Sequence, residues 1–133
     1  MNIDVSYGIT GRLEGTTLAE ARARVTAALA AEGFGVLTEI DVQKTLEAKL
    51  GERIDPYVIL GACNPGLAHR AIKGDPALGL MLPCNVVLAQ DGSDVIVSAA
   101  SPEAMFSIAQ AEPEVASVAK EAEERLRRVI AAL

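Results

Sequence analysis

Residues 57–66 read Tyr-Val-Ile-Leu-Gly-Ala-Cys-Asn-Pro-Gly, an apolar run that ends in a helix-start signal. The run shows no polar alternation, which is typical of a strand covered on both faces, although a buried helix has the same pattern. Asn64 followed by Pro65 predicts a helix N-terminus, because asparagine caps free amides and proline suits the first helical turn. Cys63 is therefore expected where a strand meets a helix.

Outward from this stretch, alternating apolar residues predict strands over residues 3–9 and 34–42. An apolar strand over residues 80–89 and a second over 95–97 are expected to form an antiparallel hairpin about Asp91-Gly92-Ser93. Helix starts are predicted by three further cap signals, at Thr17-Leu-Ala-Glu20, Asp41 and Ser101-Pro102, and Glu112-Pro113 is expected to restart the last helix after a break.

The resulting order is β-α-β-α-β-α-β-β-α-α. The alternation of strands and helices in the first part permits a parallel element, whereas the hairpin requires an antiparallel one. The fold class expected is α+β, with a mixed or largely antiparallel sheet and helices packed on one face. At 133 residues the chain has the length of one domain, and we expect a single domain over residues 1–133.

Composition excludes several classes of partner. The net charge is −6 and only 3% of the residues are aromatic, so nucleic acid and anionic membranes are not expected partners. No apolar stretch reaches the length of a membrane span, and the opening Met-Asn-Ile-Asp has no export signal. A cytoplasmic location with two reduced cysteines is the expectation.

The two Cys-Asn dipeptides form the candidate site. A helix N-terminus lowers the pKa of a nearby thiol and also attracts anions, so Cys63 and Asn64 are candidates for thiol chemistry or for a small anionic ligand. Gly66 leaves room for close approach of such a ligand. Cys84 and Asn85 join the predicted ligand-binding set because Pro83 favours a sheet edge or a bulge, where side chains can leave the regular ladder.

Other chemistry has less support. A metal set of Cys63, Cys84 and His69 would supply only three ligands without compact spacing, so no metal site is predicted. No phosphate-binding loop or nucleophile elbow is present, and an enzyme is not favoured. Packing alone accounts for a buried cysteine, and capping alone accounts for Asn64. The sequence identifies no cofactor.

Two longer stretches carry a family resemblance. Residues 59–68, Ile-Leu-Gly-Ala-Cys-Asn-Pro-Gly-Leu-Ala, and residues 79–88, Gly-Leu-Met-Leu-Pro-Cys-Asn-Val-Val-Leu, resemble the signature of domain of unknown function family 302. Asp41-Val-Gln-Lys-Thr-Leu and the Ser-Pro-x-x-Met of residues 101–105 fit the same layout. The resemblance implies an α+β homodimer without an established activity. Ser101 departs from it, since an acidic residue is expected before that proline.

Three functions follow as hypotheses. The first is a non-enzymatic small-ligand binding or sensing module with its site at Cys63, Asn64, Gly66, Cys84 and Asn85. The second is a thiol redox protein in which Cys63 is the activated thiolate and Cys84 its resolving partner. The third is a homodimeric assembly protein that pairs through an apolar helix stripe or sheet face.

Overall fold

A computed structural model describes residues 1, 3–109 and 112–133 and contains one five-stranded sheet. The strands lie in the spatial order β1-β5-β4-β3-β2, and all four pairings are antiparallel. The parallel element that the strand–helix alternation permitted is therefore not formed, because β1 and β2 lie at opposite edges. The strands are β1 (Gly8–Leu13), β2 (Gly35–Asp41), β3 (Tyr57–Cys63), β4 (Cys84–Asp91) and β5 (Asp94–Ala100).

Helices cover one face of this sheet, which we call the inner face. Side chains of α1 and α5 pack there on alternate strand residues, and α3 extends the same layer against α5. The α+β class, the order of strands and helices, and the packing on one face are as predicted. The helices are α1 (Leu18–Ala31), α2 (Val42–Leu50), α3 (Pro65–Gly74), α4 (Pro102–Met105) and α5 (Pro113–Ala131).

The opposite, outer face of the sheet is less covered. Successive strand residues point to opposite faces, so the residues that flank each core residue along its strand face outward. Residues 3–7 fold over part of this face, where the backbone carbonyl of Tyr7 accepts a hydrogen bond from the Ser101 amide at 2.8 Å. The outward residues of the three central strands include Tyr57, Ile59, Gly61, Asn85, Val87, Ala89, Ile96, Ser98 and Ala100.

Two strands begin four or more residues later than predicted. The first strand, predicted over residues 3–9, occupies Gly8–Leu13. Gly11, interpreted from the sequence as a break, lies within this strand, and a Cβ there would meet Ile130 Cγ2 at 3.0 Å. The strand predicted from residue 80 begins at Cys84, because Pro76–Met81 forms a 3₁₀ turn before it.

The cap signals predicted from the sequence are confirmed. Asn64 Oδ1 accepts the Leu67 amide at 3.2 Å, and the Ser101 hydroxyl accepts the Ala104 amide at 3.2 Å. Thr17 and Asp41 cap α1 and α2 in the same way. Each cap satisfies an amide that the helix leaves free, which fixes where the helix begins.

Gly61 allows the two Cys-Asn segments to approach each other. It pairs with Asn85 across the β3–β4 ladder, and a Cβ at Gly61 would meet Pro83 Cγ at 2.8 Å and clash with Thr38 Oγ1. The Leu82–Pro83 peptide bond is cis. Only a residue without a side chain fits between Thr38 on β2 and the ring of Pro83.

We predict that Gly61→Ala lowers the free energy of unfolding by about 1–3 kcal/mol, because the added methyl group overpacks this contact. Urea denaturation followed by circular dichroism measures the change. Gly79→Ala is the matched control, since a Cβ at Gly79 meets no atom within 4 Å. Equal stability of the two variants would contradict the prediction.

Candidate functional site

The two cysteines lie at the same end of the β3–β4 pair. Cys63 is the last residue of β3, and Cys84, the first residue of β4, pairs with Ala62. Both are free thiols, each partly exposed. They line a common cavity of about 30 Å³, which we call the inner cavity. The sequence left open whether their strands are neighbours; the ladder shows that they are.

The environment of Cys84 disfavours its charged form. Burial raises the pKa of the Cys84 thiol to about 11, and the nearby Cys63 adds a smaller effect in the same direction. The walls of the inner cavity are apolar, with Phe34, Leu67 and Phe106 among them. At neutral pH Cys84 is therefore a protonated thiol, and a thiolate is the form that attacks a disulfide.

Asn64 joins two helix ends. Its side-chain oxygen caps α3, and its Nδ2 donates to the carbonyl of Glu32 at 3.4 Å, where α1 ends. Arg125 of α5 donates to the same carbonyl at 3.1 Å. Both ends of the Asn64 side chain are thus engaged in the fold. Gly66, the remaining residue of the first predicted motif, is exposed in the first turn of α3.

Asn85 lies on the other side of the sheet from Cys84, since neighbouring strand residues alternate in direction. It lines a cavity of about 340 Å³ on the outer face, the outer cavity. Both tyrosines of the chain, Tyr7 and Tyr57, also line this cavity, together with Val87 and Ser98. Within the described part of the chain, the carboxamide of Asn85 makes no side-chain hydrogen bond.

A third cavity, the turn pocket, has a volume of about 180 Å³ and lies between the 3₁₀ turn and α4. Cys84 and Asn85 both line it, as do Met81, Met105 and Phe106. Asn85 therefore borders the outer cavity and the turn pocket, and Cys84 borders the turn pocket and the inner cavity. The predicted site is thereby divided among three adjoining cavities.

A buried carboxylate near Ser101 was not predicted from the sequence. Glu123 of α5 is only 5% exposed, and its Oε1 accepts from the Ser101 hydroxyl at 2.5 Å and from the Glu103 amide at 3.3 Å. Its Oε2 pairs with Arg127 at 2.7 Å. Glu123 thus supplies a carboxylate beside Ser101, the position where the family resemblance suggested an acidic residue.

His69 does not join the cysteines. It is exposed on α3 and lines none of the three cavities. Among residues 1, 3–109 and 112–133, no group of three or more His, Cys, Asp and Glu side chains is placed to hold a metal ion. No helix in these same ranges has the length and apolarity needed to cross a membrane.

Comparison with known proteins identifies the family. A profile described as Domain of unknown function DUF302 matches residues 9–133. The chain belongs to the DUF302 family. The resemblance seen in the sequence is thereby confirmed.

Structural similarity supports the same assignment. The crystal structure of an uncharacterized conserved DUF302 protein from Bacillus stearothermophilus resembles this fold with a TM-score of 0.87 and 27% identity. The similarity covers 96% of this chain and 98% of that chain. No curated protein matches the sequence.

We predict that Cys84 makes the stability of this DUF302 domain depend on alkaline pH. The folded-state pKa of Cys84, about 11, exceeds the ordinary value of 9.0. The folded state is therefore favoured by the protonated thiol: this contribution to the free energy of unfolding is fully present below pH 9 and is lost as the pH rises towards 11. The loss amounts to about 2–3 kcal/mol. Urea denaturation between pH 8 and 11 measures it.

Cys84→Ala is the control, since all other groups that titrate in this range are common to both proteins. The difference in unfolding free energy between the wild type and the variant is expected to shrink by that amount. A difference that stays constant over this range would show that Cys84 is not desolvated.

Proposed function

We propose that this DUF302 domain is a non-enzymatic binding or sensing module that holds a small ligand in the outer cavity. Asn85, from the second Cys-Asn motif, is the recognition group. The observation that carries the proposal is the exposed carboxamide of Asn85, which has no side-chain hydrogen bond among the described residues and borders a cavity of about 340 Å³. This volume lies in the range of small-molecule sites, which are mostly apolar with a few convergent polar groups.

The lining suggests the chemistry of the ligand. A carboxamide offers two donors and an acceptor, and the hydroxyl groups of Tyr57 and Ser98 add further polar atoms. Ile3, Val5 and Val87 supply apolar surface on the same cavity. A compact molecule with an aromatic or aliphatic body and one amide or carboxylate group matches this combination.

Two other hypotheses, an anion site at the start of α3 and thiol redox chemistry at Cys84, have less support. An anion at the start of α3 would compete with Asn64, which already occupies the Leu67 amide with its side chain and the Ala68 amide with its carbonyl. Thiol redox chemistry would require Cys84 to lose a proton, and burial raises its pKa to about 11. The outer cavity is free of both difficulties.

We predict that benzamide and benzoate, as neutral and anionic probes, shift amide signals of Tyr57, Val87 and Ser98 in ¹⁵N–¹H spectra of the full chain. Asn85→Ala is expected to lower the affinity for the tighter-binding probe by about tenfold, which corresponds to the loss of one hydrogen bond of about 1.4 kcal/mol. Thr45→Ala, an exposed change on α2, is the control and leaves binding unchanged. Shifts elsewhere, or binding that Asn85→Ala does not alter, would refute the site.

We propose, second, that the domain forms a homodimer through its outer face. Support comes from large apolar side chains exposed there: Tyr7 is 61% exposed, and Ile40, which pairs with Ile59, is 49% exposed. A twofold axis through this face would bury the same residues on both copies. The apolar stripe of α5, the other surface considered from the sequence, is already buried, with Val115, Val118 and Leu126 in the core.

We predict a dimer by size-exclusion chromatography with light scattering, and a monomer for Ile40→Asp, because the carboxylate would be buried without a partner. Ile72→Asp is the control on α3, where a side chain of similar exposure, 42%, lies in the helical layer. This variant is expected to remain dimeric. A monomeric wild-type protein at working concentration would contradict the proposal.

We also propose a reducing, cytoplasmic environment for the domain. Cys63 and Cys84 line one cavity as free thiols, and the cytosolic glutathione and thioredoxin systems keep such thiols reduced.

A further inference from the structure

Most of the sulfur-bearing side chains of the chain line two adjoining cavities at the start of β4. The sequence contains two cysteines and three methionines. Cys63 and Cys84 line the inner cavity, and Cys84, Met81 and Met105 line the adjoining turn pocket. Four of these five sulfur-bearing side chains therefore lie about the start of β4. We call these four residues the sulfur cluster.

The inner cavity next to the sulfur cluster is apolar, whereas the lining of the turn pocket is mixed. Phe106 lies in the wall of both cavities, and Leu82 is another shared residue. The inner cavity, at about 30 Å³, has room for one or two atoms the size of a water molecule. No aspartate, glutamate or histidine lines either cavity. Carboxylate and imidazole ligands are therefore not supplied at this place; the polar side chains there are the carboxamides of Asn64, which caps α3, and of Asn85.

Packing alone does not account for the whole sulfur cluster. Methionine often fills irregular gaps and contacts aromatic rings, which explains a partly buried Met81 near Phe106. Met105 is 43% exposed, so its side chain is not needed to fill the core. Met105 lines the same pocket as Cys84, so a thioether and a thiol border one space, as a set of soft ligands requires.

We propose that the sulfur cluster binds one soft monovalent cation of the copper(I) class, with Cys63 and Cys84 as thiolate ligands and Met81 and Met105 as thioether donors. Thiolates and thioethers select such cations over hard ones. Each cysteine gives up its proton to the solvent when its sulfur–metal bond forms. The oxidation state of the metal does not change, so no oxidant or reductant is consumed. This site is separate from the outer cavity and independent of the proposed function.

Silver(I) is the first probe, because it is a soft monovalent cation without a competing redox reaction under these conditions. The reduced full chain is titrated with Ag⁺, and native mass spectrometry gives the stoichiometry. One equivalent per chain is expected, and two equivalents bound independently by the two thiols would overturn the shared site. Anaerobic competition for Cu⁺ with a chromogenic chelator then gives the affinity.

The wild-type protein carries its own control in the methionine methyl groups. In ¹³C–¹H spectra, the methyl signals of Met81 and Met105 are expected to shift on addition of one equivalent of Ag⁺. The signal of Met1, which lines neither the inner cavity nor the turn pocket, is expected to stay in place. Unchanged Met81 and Met105 signals at saturation would overturn the assignment of the thioether donors. This measurement needs no variant and does not depend on whether a substituted chain folds.

Variants separate the individual ligands. Cys63→Ser and Cys84→Ser are each expected to lose binding in the chelator competition, and Met105→Leu, which keeps the apolar volume, to weaken it by about tenfold. Ile108→Leu is the matched control, an exposed residue in the 3₁₀ turn Ser107–Ala109 after α4, and leaves the affinity unchanged. Full affinity in either cysteine variant would overturn the two-thiolate site.

Discussion

The pairing of Ala62 with Cys84 at the end of the β3–β4 ladder determines which face of the sheet each residue of the second Cys-Asn motif lies on. Because strand side chains alternate with a period of two, this register directs Cys84 towards the helices and Asn85 towards the outer face. A shift by one residue would exchange the two. The contact of Gly61 with Pro83 lies at this same end of the ladder and tolerates no side chain.

The first Cys-Asn motif has a structural consequence of its own. Asn64 links the end of α1 to the start of α3 through Glu32, and Arg125 of α5 reaches the same carbonyl. Three helices therefore meet beside Cys63. The two asparagines, equivalent in the sequence pattern, thus differ in the structure: Asn64 is engaged at both ends of its carboxamide, whereas Asn85 is exposed and makes no side-chain hydrogen bond among the described residues.

Local signals in the sequence predicted much of this fold. The helix starts at Asn64-Pro65 and Ser101-Pro102 depend on a few adjacent residues and were predictable from them. The bounds of β1 were not, because the place of Gly11 in the strand depends on Ile130, more than a hundred residues away. A glycine at position 11 is visible in the sequence, but its pairing with Val97 and its contact with Ile130 are tertiary interactions.

The candidate site shows the same division. Sequence reasoning identified Cys63 and Cys84, and the neighbouring strands bring them to one cavity. It grouped Asn85 with them because Pro83 favours a bulge, whereas Asn85 pairs regularly with Gly61 and so faces away from Cys84. The sequence did not predict the hydrogen bond of Ser101 to the buried Glu123 either. Glu123 lies one turn before Arg127 on a charged helix, and such a pair is usually solvated.

Thiol reactivity at two adjacent positions tests the register most directly. In a Cys63→Ala background, one protein keeps Cys84 and the other carries Cys84→Ala with Asn85→Cys, and both are alkylated with iodoacetamide at pH 8. The account predicts that the thiol at position 85 reacts on the order of a hundredfold faster, because the raised pKa of Cys84 leaves far less thiolate. Equal rates, or faster reaction at Cys84, would contradict this register.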